Sequence, residues 1–225
     1  MTPIHVLSWA KSFGPSIRPM DTLALMKILL FGATGMVGQR IAAELTNRGH
    51  QVTAVSRKGP VQGDVHDAAT LAEGYDAVVS AIAPPRDGTE PEPPFLDANR
   101  ALIEGVRAAG VRRLIVVGGA GSLQIAPGQD LVDAPDFPAV HKKESLAQRS
   151  ALGLYREVED LDWTYISPAA EVAPGERTGV YRIGGDMLLA DAEGRSFISA
   201  EDYAVAVADE LENGAHPRKR ITVAY

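Results

Sequence analysis

The stretch Lys27–Arg57, KILLFGATGMVGQRIAAELTNRGHQVTAVSR, decides the fold class. It opens with an apolar run, passes through glycines set three residues apart, and then carries apolar residues at helical spacing before a second apolar run. This order predicts a strand Lys27–Phe31, a helix Met36–Arg48 and a strand Gln51–Ser56. A strand that turns through glycines into a helix is typical of a site for the pyrophosphate of a dinucleotide.

Each glycine of the turn has its own predicted role. Gly32 lets the chain turn sharply, and Gly35 lets a pyrophosphate approach the backbone without meeting a Cβ atom. Gly38 allows the helix to pack closely on the strand, and the positive end of that helix favours phosphate. The spacing is G-x-x-G-x-x-G rather than the commoner G-x-G-x-x-G. Turn and packing glycines without a ligand therefore stay open as an alternative.

Composition bounds the possible classes. With 225 residues and 45% hydrophobic content, the chain suits one α/β domain with a small added lobe. The net charge of −7 disfavours nucleic acid and anionic membranes as partners. The absence of cysteine excludes disulfides, thiolate catalysis and cysteine-ligated metals. The remaining His, Asp and Glu residues lack metal-ligand spacing, so we expect no metal site.

The first 25 residues differ from the rest. They carry Pro3, Pro15 and Pro19 and lack the continuous apolar core of a signal peptide. We therefore interpret residues 1–25 as a peripheral extension and residues 26–225 as the domain, and we favour Met26 over Met1 as the natural start. No apolar run reaches the roughly 18 residues that a membrane span needs. We expect a cytoplasmic monomer or homodimer acting on a small molecule.

After the glycine turn, strand and helix signals alternate along the chain. The predicted elements are a short helix from Asp67 to Ala72, a strand Asp76–Ile82, a helix Leu96–Ala109, a strand Arg112–Gly118, a helix from about Val140 to Glu159, a strand Asp162–Ile166, a helix Ala200–Leu211 capped by Ser199 with Asp202, and a strand Arg220–Ala224. The proline-rich stretch Ala83–Pro94 is predicted to be a long loop. The alternation predicts a doubly wound parallel sheet, the NAD(P)-binding Rossmann fold, with a small C-terminal lobe.

The end of the second strand indicates which dinucleotide fits. An NAD site places Asp or Glu there, whereas this chain has Ser56, Arg57 and Lys58. A basic residue suits the 2′-phosphate, so NADP(H) is preferred and NAD(H) is possible. A solvated basic loop is the alternative. Further on, Asp64 is placed to accept from an adenine amino group and Val65 to pack on the ring, unless both belong to a plain surface turn.

The proton donor of common short-chain dehydrogenases is missing. These enzymes use a Tyr with a Lys four residues later, and none of the six tyrosines here has that partner. Ser122 and His141 lie where the missing groups are expected, and the imidazole of His141 is suited to proton transfer. We therefore name both as catalytic candidates. The alternative for His141 is a solvated histidine at a helix start.

Several segments together resemble a known family. They are GATGMVG, DAVVSAIAP, VRRLIVVGGAGSL, APDFPA, DLDWTYISPAA, PGERTGVYRIGGD and the terminal ITVAY. The chain from about Met26 to Tyr225 resembles the NADH-flavin reductase group of atypical short-chain dehydrogenases, within the NAD(P)H-binding, NmrA-like superfamily. The resemblance implies an NAD(P)-binding Rossmann fold. Relatives often have Tyr where this chain has His141, which puts any inherited role of that side chain in doubt.

The resemblance also implies where the cofactor lies. The pyrophosphate falls at Gly32, Ala33, Thr34, Gly35, Met36 and Val37, the adenosine end at Arg57, Asp64 and Val65, and the nicotinamide near Ala81, Gly118, Gly119 and the segment Ser167, Pro168, Ala169 and Ala170 after the strand. The expected function is hydride transfer from NADPH to a flavin or a similar aromatic acceptor, with the flavin as substrate rather than bound cofactor. A reduced flavin is stable as an anion, so this transfer needs no positioned acid.

Two alternatives stay open. One is a non-enzymatic NADP(H) sensor, and the other is a sugar-nucleotide epimerase or dehydratase, which the missing Tyr and Lys pair disfavours. In the reductase interpretation, the proline loop Ala83–Pro94 and the segment Gln124–Pro138 wall the cleft, with Gly88 letting the loop act as a lid. A surface excursion of that loop is the alternative.

Overall fold

The computed structural model describes residues 24–225. The predicted extension 1–25, with the hypothesis of a start at Met26, therefore lies outside the described residues except for Ala24 and Leu25. The strands are β1 (Lys27–Phe31), β2 (Gln51–Ser56), β3 (Val61–Gln62), β4 (Ala77–Ser80), β5 (Arg113–Val117), β6 (Gln124–Ala126), β7 (Gln129–Asp130), β8 (Asp162–Pro168), β9 (Glu171–Ala173), β10 (Arg182–Gly184), β11 (Phe197–Ser199) and β12 (Lys219–Ala224). The helices are α1 (Met36–Asn47), α2 (Ala68–Leu71), α3 (Glu92–Ala108), α4 (Ala139–Arg156) and α5 (Ala200–Asn213), with 3₁₀ turns at Val65–Asp67 and Leu131–Asp133.

Eight strands form one sheet in the order β10-β12-β8-β5-β4-β1-β2-β3. All neighbours in it are parallel except β10, which runs antiparallel to β12. Strand β1 pairs with β2 on one side and with β4 on the other, so the strand order reverses there. The predicted doubly wound sheet is confirmed, and the crevice beyond β1 and β4 is where such folds bind ligands.

The sheet is covered on both faces, which explains its unalternating apolar strands. Along β1, Ile28 and Leu30 belong to one buried cluster, which α1 and α5 cover, and Leu29 and Phe31 belong to the other, to which α3 and α4 contribute. All four side chains are at most 1% exposed. Both clusters hold the strand ends rigidly, so the residues just beyond them have fixed positions.

The predicted end of the loop Ala83–Pro94 is wrong. Helix α3 begins at Glu92 rather than at Leu96, with Pro93 and Pro94 in its first turn. Proline is tolerated in a first turn because its missing N–H has no intrahelical partner there. The loop is therefore shorter than predicted, and strand β4 ends at Ser80 rather than at Ile82.

At two helix starts the observed capping differs from the predicted capping. The side chain of Asp64, not that of Asp67, caps the turn before α2 by accepting from the His66 N–H. At α5, Ser199 accepts from the Asp202 N–H as predicted. The Asp202 carboxylate does not complete the reciprocal pattern, because it binds the Gly179 N–H and the Tyr225 hydroxyl, both at 2.7 Å.

The C-terminal region contains short elements that the sequence pattern did not predict. Strands β9 and β11 form a small parallel sheet, and β6 and β7 form a hairpin. Strand β8 continues to Pro168, so Ser167 and Pro168 lie in the strand rather than after it. Among residues 24–225, no helix is long and apolar enough to cross a membrane, and no group of His, Asp or Glu side chains is placed to hold a metal ion.

Candidate functional site

The turn between β1 and α1 is built on backbone contacts. Gly32 has a φ of +78°, and a Cβ atom there would lie 2.4 Å from the carbonyl oxygen of Ala81. A Cβ atom on Gly38 would lie 2.2 Å from the carbonyl oxygen of Gly32. Both positions therefore require glycine for the fold itself, because the atoms in the way are backbone.

Gly35 is different. It has extended backbone angles that any residue adopts, with φ of −73° and ψ of 164°, and a Cβ atom there would meet only the Gly32 oxygen, at 3.5 Å. The residue is exposed, as are Thr34 and Met36 beside it, while Ala33 is buried under the turn. Neither the backbone conformation nor the packing of the described chain explains this glycine. A ligand lying against the backbone would explain it.

The start of α1 is open to an anion. Within the described chain it has no side-chain cap and no acidic residue in its first turn. The first N–H groups of a helix have no intrahelical acceptor, and the helix dipole places positive potential there. Val37 is half-buried against the core below, so the backbone rather than the side chains faces the crevice. This arrangement fits a pyrophosphate.

The predicted adenosine end is a small charged surface. Arg57 follows β2 and is exposed, with no ion pair to any residue in the range 24–225, and Ser56 before it is half-buried. The pKa of the Asp64 carboxyl is lowered, chiefly by the His66 N–H and in smaller part by the charge of Arg57. Arg57 and Asp64 therefore lie near each other. Val65 is 3% exposed and packs in the core, so its side chain supports the turn rather than offering a free face to a ring.

The predicted nicotinamide end lies where β4, β5 and β8 finish side by side. Ala81 is half-buried and donates its N–H to the Phe31 oxygen at 2.9 Å. A Cβ atom on Gly118 would lie 2.1 Å from Cε1 of Tyr165, and one on Gly119 would lie 2.0 Å from Oε1 of Gln148. These glycines let the chain lie close against the buried ring of Tyr165 and the partly buried side chain of Gln148. Pro168 and Ala169 follow on the neighbouring strand, at the same edge of the sheet.

Three buried polar atoms at this edge have no hydrogen-bond partner within the described residues. They are Oγ of Ser80, Oε1 of Gln148 and Oγ of Ser167. The two serines stand at or near the ends of β4 and β8, and Gln148 comes from α4. Unpaired buried polar atoms are uncommon in folded proteins. Ser167 belongs to the segment predicted for the nicotinamide, whereas Gln148 was not indicated by the sequence.

Ser122 and His141 were the catalytic candidates, and the structure gives them different surroundings. Ser122 is 8% exposed, and its Oγ lies 3.4 Å from Nη1 of Arg220, which also binds Asp186 at 2.7 Å through Nε. His141 is exposed on the first turn of α4, and its ring makes no hydrogen bond inside the described part of the chain. No hydrogen bond joins the two side chains there, so their roles stay predictions.

Helix α4 supplies residues that the sequence analysis missed. Ser145, one turn after His141, lies against Gly121, since a Cβ atom on that glycine would be 2.6 Å from Cβ of Ser145. The hydroxyl of Tyr165 donates to the main-chain oxygen of Gln148 at 3.0 Å. Residues 141, 145 and 148 share one helical face, so this spacing is the signal that would have found them.

The tyrosines are all engaged inside the fold. Each hydroxyl donates at 2.5–3.0 Å to an internal acceptor, which is Thr53 for Tyr75, Asn99 for Tyr155, Gln148 for Tyr165, Asp209 for Tyr181, Ile166 for Tyr203, and Ser199 or Asp202 for Tyr225. Burial also raises the pKa of Tyr155, Tyr165 and Tyr203. A hydroxyl that is buried, bonded and hard to ionise is poorly placed to protonate a substrate.

The loop after β4 is tied to the start of α4. Arg86 forms two hydrogen bonds with the Glu144 carboxylate, at 2.8 and 2.9 Å, and Lys143 pairs with Glu90. Gly88 between them is exposed, with a φ of +89°. The loop is therefore held beside the helix that carries His141. The wall of the cleft stays a prediction.

The chain is similar to proteins of known family and structure. The NAD(P)H-binding family model matches residues 32–214, from the glycine turn to the end of α5. A crystal structure of a "putative exported protein" from Burkholderia pseudomallei is 49% identical, with a TM-score of 0.82, covering 89% of this chain and all of that one (100%). The "putative epimerase" of Bacteroides thetaiotaomicron is 39% identical, with a TM-score of 0.82 and coverage of 90% and 98%.

A third solved structure bears on the inferred resemblance. The "putative NADH-flavin reductase" of Streptococcus pneumoniae is 35% identical to this chain, with a TM-score of 0.76, covering 88% of this chain and 99% of that one. The family match spans well over half of the chain, and the resemblance to atypical short-chain dehydrogenases inferred from the sequence is confirmed. The chain belongs to the NAD(P)H-binding family.

Proposed function

We propose that this protein binds NADPH and transfers a hydride from it to a flavin or a similar extended aromatic acceptor. The observation that carries the choice of acceptor is the engagement of all six tyrosine hydroxyls within the fold. Carbonyl reduction needs a proton donor at the developing alkoxide. Flavin reduction does not, because the reduced flavin is stable as an anion.

The residues present fit the dinucleotide. The unexplained glycine at position 35 and the uncapped start of α1 leave room and N–H donors for a pyrophosphate. Arg57 is free to bind a 2′-phosphate, and the ends of β4, β5 and β8 would hold the nicotinamide. When bound, NADPH supplies the hydride. The protein then orients the two rings about 3–3.5 Å apart and excludes water.

The names of two solved neighbours bear on the acceptor. The unpaired oxygens of Ser80, Gln148 and Ser167 are buried beneath the strand ends, so they do not themselves select it. The name of the pneumococcal neighbour points to flavin reduction, while that of the Bacteroides neighbour keeps an epimerase in view. The missing Tyr and Lys pair weighs against the epimerase.

The direct test is NADPH oxidation measured anaerobically against FMN, FAD, riboflavin, quinones and biliverdin. We expect a flavin to accelerate the oxidation most. Stoichiometric NADPH binding with no acceleration by any acceptor would overturn the reductase and favour the non-enzymatic sensor. Turnover of a nucleotide sugar without net NADPH consumption would instead favour the epimerase.

A variant at Gly35 tests the cofactor site itself. Gly35→Ala should keep the melting temperature, because the added methyl meets only one atom at 3.5 Å. It should weaken NADPH binding at least tenfold, since the methyl occupies the space proposed for the pyrophosphate. Gly153→Ala is the control, because a Cβ atom on that helical glycine meets nothing within 4 Å and the residue lies outside the proposed cofactor site. Equal NADPH affinity in both variants would place the pyrophosphate elsewhere.

A further inference from the structure

His66 lies between two carboxylates on the surface of the predicted adenosine end. Its ring Nδ1 is 3.0 Å from Oδ1 of Asp64, and its Nε2 is 3.1 Å from Oδ2 of Asp97 on α3. A neutral imidazole has one N–H and can donate to only one of them. Both contacts are hydrogen bonds only when the ring is a doubly protonated imidazolium.

The surrounding charges favour that form. The pKa of His66 is raised, most by the hydrogen bond to Asp97 and next by the one to Asp64. The third carboxylate of the cluster, Asp67, is turned to the Asp64 N–H, from which it accepts at 3.0 Å. The positive charge of Arg57 lowers the pKa of Asp64 in smaller part. The His66 ring therefore contacts two carboxylates, that of Asp64 in its own turn and that of Asp97 on α3.

The contacts of Asp64 divide its carboxylate into two unlike oxygens. Oδ1 accepts from the His66 main-chain N–H at 2.8 Å and from the His66 ring. Oδ2 accepts from no residue in the described part of the chain. The Asp64 side chain is 51% exposed, so a ligand can reach this oxygen. The histidine thus fixes one oxygen and leaves the other with free acceptor capacity. The contact with Asp97 also links this turn to α3.

We propose that His66 is a positioning residue for adenine recognition, holding Oδ1 of Asp64 so that Oδ2 accepts a hydrogen bond from the exocyclic amino group of the base. The inference rests on the proposed function, in which the dinucleotide places its adenine at Asp64. It adds a residue that touches no cofactor atom and acts through the carboxylate. It also makes adenine selectivity depend on the protonation of His66.

The experiment compares two dinucleotides that differ only at the base. Dissociation constants are measured for NADPH and for its hypoxanthine analogue, which has a carbonyl where adenine has the amino group, between about pH 5 and 8. Both ligands carry the same 2′-phosphate, so its own titration cancels in the ratio. We expect roughly tenfold preference for NADPH at the acid end. The preference should decline as the pH rises through the raised pKa of His66, above 6.5.

Variants separate positioning from a structural effect. His66→Ala should reduce the preference for NADPH over the hypoxanthine analogue to between about onefold and threefold at every pH. Asp97→Asn should shift the pH at which this preference declines to a lower value, because one charge that stabilises the imidazolium is gone. His66→Gln keeps a neutral donor and should retain part of the preference without pH dependence. Glu73→Gln removes an exposed carboxylate just after α2 and is the control that should leave the wild-type profile unchanged.

Each contrary result has its own meaning. A wild-type ratio near one at every pH, with tight NADPH binding, would overturn the role of His66 and leave the proposed function intact. A wild-type pH profile retained in His66→Gln would also overturn it, since the titrating group would be another residue. Failure of the wild-type protein to bind NADPH would overturn the proposed function and this inference together.

Discussion

The two ends of the cleft are both lined by glycines, but different atoms surround them. At the turn after β1, the atoms that exclude a Cβ from Gly32 and Gly38 are main-chain carbonyl oxygens. At the end of β5, the atoms that exclude one from Gly118 and Gly119 belong to the side chains of Tyr165 and Gln148. The first end is therefore defined by the backbone, and the second by residues that can vary.

This difference separates what the fold requires from what the reaction requires. A backbone turn is the same in any sequence that can form it, so it suits a cofactor shared across a family. A surface of side chains can change one residue at a time, so it suits an acceptor that differs between relatives. Variants at the two ends should therefore fail in different ways.

The largest expected effect is at the backbone end. Gly38→Ala places a methyl 2.2 Å from a carbonyl oxygen, and we expect a loss of about 3 kcal/mol in the free energy of unfolding. Chemical denaturation of the variant and the wild type measures this difference in the free energy of unfolding. Gly153→Ala, with nothing within 4 Å of the new methyl, should gain about 0.5–1 kcal/mol instead. Similar stabilities of the two variants would contradict the backbone-defined turn.

The second effect concerns the adenosine end. Arg57→Ala should weaken NADPH binding about tenfold to a hundredfold and leave NADH binding nearly unchanged, because only NADPH carries the 2′-phosphate. Titration of each cofactor by fluorescence measures it. Lys58→Ala, which removes the exposed base next to it, should have a much smaller effect. Equal losses for NADPH and NADH would rule out the phosphate contact.

A smaller effect is expected at the side-chain end. Gly119→Ala puts its methyl 2.0 Å from the amide oxygen of Gln148, which is the flexible end of a side chain and can move. We expect about 1 kcal/mol of destabilisation and slower hydride transfer with little change in NADPH affinity. Adding Gln148→Ala should restore stability but not the rate. Gly118→Ala, against the ring of Tyr165, should destabilise more.

The smallest effect is at the loop after β4. Arg86 is exposed although its partner Glu144 is partly buried, so Arg86→Ala should cost less than about 1 kcal/mol of stability. It should change the KM for the acceptor by two- to fivefold, with the NADPH dissociation constant unchanged. High salt should reproduce the change in the wild type by screening the pair. The exchange Arg86→Glu with Glu144→Arg should restore the wild-type KM.

The sequence predicted the backbone end well for a physical reason. A turn that depends on φ above zero and on close main-chain contact can be formed only by glycine, so Gly32 and Gly38 mark it directly. Strands buried on both faces appear as continuous apolar runs. The order β2-β1-β4-β5 then follows from alternation and handedness, whereas the two-residue strand β3 was not predicted.

The side-chain end was predicted less completely because its parts are far apart in the chain. Gln148 meets Gly119 and Arg220 meets Ser122 only through tertiary packing, and no local pattern announces either contact. The short strands β9, β10 and β11 have three residues each, too few to show a period. The capping by Asp64 was missed since Asp67 lay closer to the predicted helix.

The bonded tyrosines have a consequence for alkaline solution. Tyr155, Tyr165 and Tyr203 are neutral and buried when folded, with pKa values raised above 10.0, so the unfolded chain releases these protons at lower pH than the native one. Native stability is then fully present below about pH 10 and falls as the pH rises further. The ultraviolet absorbance of tyrosinate should therefore include a cooperative step from these three residues when the chain unfolds, which gives a label-free measure of unfolding.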